Sequence, residues 1–79
     1  MVKRVKLVRI AQGHHSYKFA ALVGVHPNTW HEIEEGKRKP SEKVMLIASE
    51  ILKRPVDDLF ADAEEALVEL HGSRQAKHS

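Results

Sequence analysis

The stretch Gly24–Ser41, GVHPNTWHEIEEGKRKPS, decides the fold. Pro27 suits a first helical position, because the N–H it lacks would have no partner there. His26 then stands at the cap, a weaker choice than serine or threonine. Gly36 closes the helix, and Pro40 with the good N-cap Ser41 opens the next one. Val25, Trp30 and Ile33 mark an inward face, and Trp30 belongs to the core because those neighbours are apolar. Asn28, Thr29 and Glu32 fall on the outward face. Such groups can hydrogen-bond the base edges of a nucleic acid, and Lys37, Arg38 and Lys39 follow where a phosphate backbone would meet them.

Short helical patterns punctuated by glycine and proline flank this segment. The first runs from about Val2 to Gln12, with Val5 and Val8 inward, Leu7 and Ala11 beside them, and Lys3, Arg4 and Lys6 outward. Its β-branched content leaves a strand as the alternative at the extreme N-terminus. After Gly13 a second helix spans roughly Ser16 to Val23 and places Phe19, Ala20 and Val23 on one face. Gly24 then permits a tight turn, since glycine adopts positive φ without steric cost. Beyond Ser41, Val44, Ile47, Ala48, Ile51 and Leu52 repeat at helical spacing and predict core. The last pattern starts at Pro55, carries Asp57 and Asp58 at its positive end, and stops at Gly72. It reads as one helix whose stripe runs Val56, Leu59, Phe60, Ala63, Leu67, Leu70, longer than so small a domain can cover. The expected architecture is all-α: five helices in one domain over residues 1–72, with an extended C-terminal helix and a disordered tail over 73–79.

Size and charge bound the function. A chain of 79 residues makes one domain that buries roughly 60% of its unfolded surface, so its stability is modest and a dimer interface would help. With no cysteine, neither disulfides nor a thiolate zinc site can hold it. No apolar run approaches the ~20 residues that span a bilayer, and no signal peptide stands out, so a cytoplasmic location is the default. Net charge is only +2, but it is unevenly spread. Residues 1–43 carry nine Lys/Arg against four Glu, a net of +5, and residues 44–79 four against seven acids, a net of −3. A basic functional half and an acidic half turned away from a polyanion would produce that asymmetry, as would a merely uneven solvated surface.

Helix two, a glycine turn and helix three make a helix-turn-helix. Phe19-Ala20, Gly24-Val25, Asn28-Thr29, Ile33-Glu34, Gly36-Lys37 and Pro40-Ser41, followed by PVDDLF from Pro55 to Phe60, resemble the lambda-repressor-like, Xre/Cro-type DNA-binding domain over about residues 5–60. The resemblance implies that Pro27, Asn28 and Glu32 face the bases and that Ser16 and Lys18 approach the backbone. Thr29 joins the base-facing set, and His31 joins Lys37, Arg38 and Lys39 at phosphates. Asn28 is the foremost reader, because a carboxamide pairs with adenine N6 and N7 and discriminates by about 1–3 kcal/mol. Its alternative role is to bond its own helix start. The resemblance also implies an ion bridge between Arg9 and Glu34, joining helices one and three; two separately solvated charges are the alternative. The chain departs from the pattern at His15, where serine or threonine is usual, at Ser16, where glutamine is usual, and at Trp30, where a smaller aliphatic is usual.

The implied function is sequence-specific binding of double-stranded DNA by a transcriptional regulator, a repressor, acting as a homodimer on a palindromic operator. Ala63, Ala66, Leu67 and Leu70 are the expected dimer contact. The alternative is an antitoxin-like or adaptor module that recruits a protein partner through the same C-terminal helix. Six histidines raise a metal site, but none has the i, i+4 spacing of helical zinc ligands. Capping and phosphate contact are the simpler roles, and no metal or cofactor is expected. No nucleophile–base pairing, phosphate loop or acidic pair suggests an enzyme.

Overall fold

The computed structural model describes residues 1–63, which form five helices. They are α1 (Arg4–Ala11), α2 (Ser16–Val23), α3 (Pro27–Glu34), α4 (Glu42–Leu52) and α5 (Val56–Leu59). The helix pair α2 and α3 packs together, α4 supports α2, and α1 closes over α3 and α5. Phe19 and Trp30 sit at the centre, fully buried, with ring centroids 5.0 Å apart. Each such side chain contributes about 1.5–3 kcal/mol through burial, so this contact anchors α2 to α3. Val5, Ile33, Ala48, Leu52 and Leu59 complete the same core.

Both helices of the central pair end in the same way. At α2, Val25 N–H donates to Ala20 O and Gly24 N–H to Ala21 O; at α3, Lys37 N–H donates to Glu32 O and Gly36 N–H to Ile33 O. These are the paired bonds of a Schellman stop, which needs a left-handed residue. Gly24 and Gly36 supply it with φ of 84° and 76°. Gly36 has a second constraint: a Cβ there would run into the Met1 backbone carbonyl.

The faces of α1 differ from the sequence expectation. Val5, Val8 and Arg9 are buried, while Leu7 and Ala11 are exposed. At about 100° per residue, Leu7 and Ala11 lie on the side of α1 opposite Val5 and Arg9. Lys3, Arg4 and Lys6 are half-buried and ion-paired, to Asp62, Asp58 and Glu35 respectively. The strand alternative at the N-terminus reduces to a single antiparallel bridge, Lys3 with Asp62.

That bridge explains a second correction. The C-terminal stripe is not one unbroken helix from Pro55, because α5 stops at Leu59. Arg4 N–H donates to Ala61 O at 2.9 Å, and Ala63 N–H donates to Val2 O at 2.9 Å. The N-terminal segment thus takes backbone groups that a continuous helix would bond internally. Of the expected dimer contacts, Ala63 is half-buried and held by Val2. Ala66, Leu67 and Leu70 lie outside the described residues, as do Gly72 and the segment 73–79.

Candidate nucleic-acid interface

The interface is built on the starts of α2 and α3. The His15 ring Nδ1 accepts the Tyr17 backbone N–H at 3.3 Å, and the His26 Nδ1 accepts the Asn28 N–H at 3.1 Å. Each histidine therefore does the work of a serine or aspartate cap, using its ring lone pair. An acceptor Nδ1 leaves the ring proton on Nε2, so both rings present a donor away from the helix end. His15 also stacks on Tyr17, with centroids 5.9 Å apart, and both residues are exposed.

Capping by His26 settles what Asn28 does locally. The helix-start bond is made by the histidine ring, and the exposed Asn28 carboxamide makes no hydrogen bond among the described residues. Both of its donors and both acceptor lone pairs are open to a ligand. Pro27 and Thr29 beside it are half-exposed, and His31 is exposed one turn on. Ser16 is half-exposed and Lys18 exposed near the start of α2.

Glu32 is engaged. Arg38 Nε donates to Glu32 Oε1 at 3.0 Å, and the two side chains are 55% and 42% exposed. Sequence reasoning gave these residues separate ligands and missed the pair. The Gly36 stop turns the chain back and brings these positions together, though the glycine by itself does not name the partners. An exposed pair of this kind is worth about 0–1 kcal/mol, so a competing phosphate or base can open it readily. Lys37 and Lys39 are exposed and have no ion partner among the described residues.

The helix is aimed from behind by Arg9. Its Nε donates to Glu34 Oε2 at 2.6 Å, its Nη2 to Glu34 Oε1 at 3.2 Å, and its Nη1 to the His14 carbonyl at 2.8 Å. The guanidinium thus links α1, the α1–α2 turn and the last residue of α3. Next to it, Lys6 Nζ donates to Glu35 Oε2 at 3.1 Å. That hydrogen bond, followed by the charge of Lys6, holds the Glu35 carboxyl below the ordinary carboxylate range. Of the acids of α3 and its cap, Glu34 and Glu35 are therefore drawn to α1 and Glu32 to the loop.

A helix-turn-helix family model matches residues 5–59, well over half of the chain. The chain belongs to the lambda-repressor-like, Xre-type helix-turn-helix family. No curated protein matches the chain. The domain is a DNA-binding regulator of the Xre type, a class that is not typically enzymatic. In an Xre-type domain the second helix of the motif is the one offered to the major groove, which here is α3. Among the described residues no helix is long and apolar enough to cross a membrane, and no three His, Cys, Asp or Glu side chains converge as metal ligands.

Proposed function

We propose that this Xre-type regulator is a repressor that reads a palindromic double-stranded operator as a homodimer. The observation that carries the reading is the exposed Asn28 carboxamide at the start of α3, which like Lys37 and Lys39 in the following loop has no partner among the described residues. Asn28 reads an adenine edge, with Pro27 and Thr29 packing beside it and Glu32 accepting from cytosine N4 once Arg38 lets go. Ser16, Lys18, His31, Lys37, Arg38 and Lys39 meet phosphates and supply affinity without sequence information. Repression follows from occupancy where the operator overlaps a promoter, because a bound dimer there excludes other proteins from the same stretch of DNA.

A single domain makes few contacts, which favours two copies on half-sites about 34 Å apart. The apolar sequence positions Ala63, Ala66, Leu67 and Leu70 supply the dimer contact in this reading. Selection of bound sites from random DNA tests the whole proposal, because it reports binding, palindromy and spacing together. A palindromic consensus with half-sites one helical turn apart is expected. Enrichment of no sequence, together with weak and salt-insensitive DNA binding, would instead point to a protein-recruiting adaptor on the same fold. Sedimentation tests the pairing separately: a dimer at tens of micromolar that Leu67→Asp leaves unchanged would remove the C-terminal contact.

A further inference from the structure

A cleft of about 410 Å³ opens between the loop after α3 and the α4–α5 side of the domain. Its volume falls in the range of small-molecule sites, about 300–1,000 Å³. Pro40, Met45 and Phe60 form an apolar floor, and Phe60 also packs against the core. The wall is cationic: Lys3, Lys37, Arg38 and Lys39 line it, and among the described residues no acidic side chain does. Lys3 is neutralised by Asp62 at 2.6 Å, so it contributes mainly its methylene stem. Arg38 is held by Glu32 at 3.0 Å, whereas Lys37 and Lys39 have no ion partner among the described residues.

We propose that this cleft binds a small amphipathic anion: one carboxylate, sulfonate or phosphate on an aromatic or short acyl body. Each half of that description answers one half of the site. An inorganic anion would pair with Lys37 and Lys39 but leave Met45 and Phe60 uncovered, and a neutral hydrocarbon would leave the cations unanswered. A DNA strand presents phosphates but no apolar body that reaches the floor. Methionine is a suitable floor, because its unbranched thioether adapts to varied ligand shapes. The head group uses the two lysines assigned above to phosphate contact, so an occupied cleft opposes DNA binding and the ligand acts as an inducer. The site stands without the DNA reading; only the competition rests on it.

The test uses the full chain and anilinonaphthalene sulfonate as the probe. A single saturable fluorescence transition is expected, displaced by naphthoate but not by the same concentration of inorganic phosphate. Met45→Glu places a carboxylate on the floor and weakens the probe about tenfold, while Leu46→Glu, at an exposed neighbour on α4, leaves it unchanged. Circular dichroism checks that Met45→Glu is folded. Lys37→Gln with Lys39→Gln, both exposed, provides a second variant and also weakens the probe. Naphthoate is expected to raise the Kd for DNA several-fold in the wild type and not in Met45→Glu. Non-saturable dye binding, equal binding by Met45→Glu and wild type, or displacement by phosphate as readily as by naphthoate would overturn the proposal. Saturable, Met45-dependent dye binding by a chain that ignores DNA would keep the cleft and remove the regulator reading.

Discussion

Arg9 and Glu34 meet in a two-point ion pair with both side chains almost wholly buried, 8% and 2% exposed. The pair fastens the last residue of the recognition helix to α1. Removing one partner leaves a buried charge unanswered, which costs about 3–5 kcal/mol. Arg9→Met and Glu34→Leu are each expected to lose that much in urea denaturation followed by the fluorescence of the single, buried Trp30. The double variant should recover most of the loss, since two apolar side chains need no partner. Additive losses in the double variant would show that the pair is not coupled.

The two glycine stops separate backbone strain from crowding. Gly24→Ala meets nothing within 4 Å and pays only for a left-handed alanine, about 1–2 kcal/mol. Gly36→Ala carries the same strain and must also displace Met1. It should be the more destabilising of the two in parallel urea titrations. Equal losses would mean that the Met1 contact is not made in solution.

The acid side of the stability profile should contain a contribution from Glu35. Its folded carboxyl titrates below the ordinary range because Lys6 bonds it. The unfolded state therefore takes up the proton first, and the stabilisation is present above the unfolded pKa and lost as pH falls through the folded value. Lys6→Met should move the Glu35 titration upward, read from its side-chain carboxyl carbon by NMR. An unmoved titration would show that Lys6 is not its partner.

Base reading and phosphate contact should separate by mutation. Asn28→Ala should cost about 1–3 kcal/mol and relax preference at one base position of the selected site. Lys37→Gln should weaken binding uniformly across sequences and flatten the log–log salt slope by about 1. If Asn28→Ala weakens all sequences equally, Asn28 contacts backbone and the reader lies elsewhere on α3.

The helix-turn-helix was legible because its signals are local. Pro27 and Ser41 mark starts, Gly24 and Gly36 mark stops, and Phe19 with Val23 in one helix and Trp30 with Ile33 in the next recur at helical spacing. The caps at His15 and His26 could be placed from position, though not the ring nitrogen that makes them. The C-terminal stripe misled for a physical reason. Its spacing is continuous across Phe60 to Asp62, but long-range backbone bonds from Val2 and Arg4 outcompete helix continuation there. Periodicity carries no record of a competing segment at the far end of the described chain. Asp62 with Glu65 does match the spacing of a capping box, a restart signal inside the stripe. Nor did the sequence announce the Glu32–Arg38 pair or the cleft, since both form only after Gly36 folds the loop back.

Among the described residues the short run Val2–Lys3 joins the end of α3 to the chain beyond α5. Lys3 N–H donates to Glu34 O at the end of α3, and the neighbouring Val2 carbonyl accepts from Ala63. Force applied at Ala63 is thus delivered, through two backbone bonds and one stiff dipeptide, to the foot of α3. A load on Ala63 and a load on the end of α3 therefore meet at one peptide unit, so each resists displacement of the other.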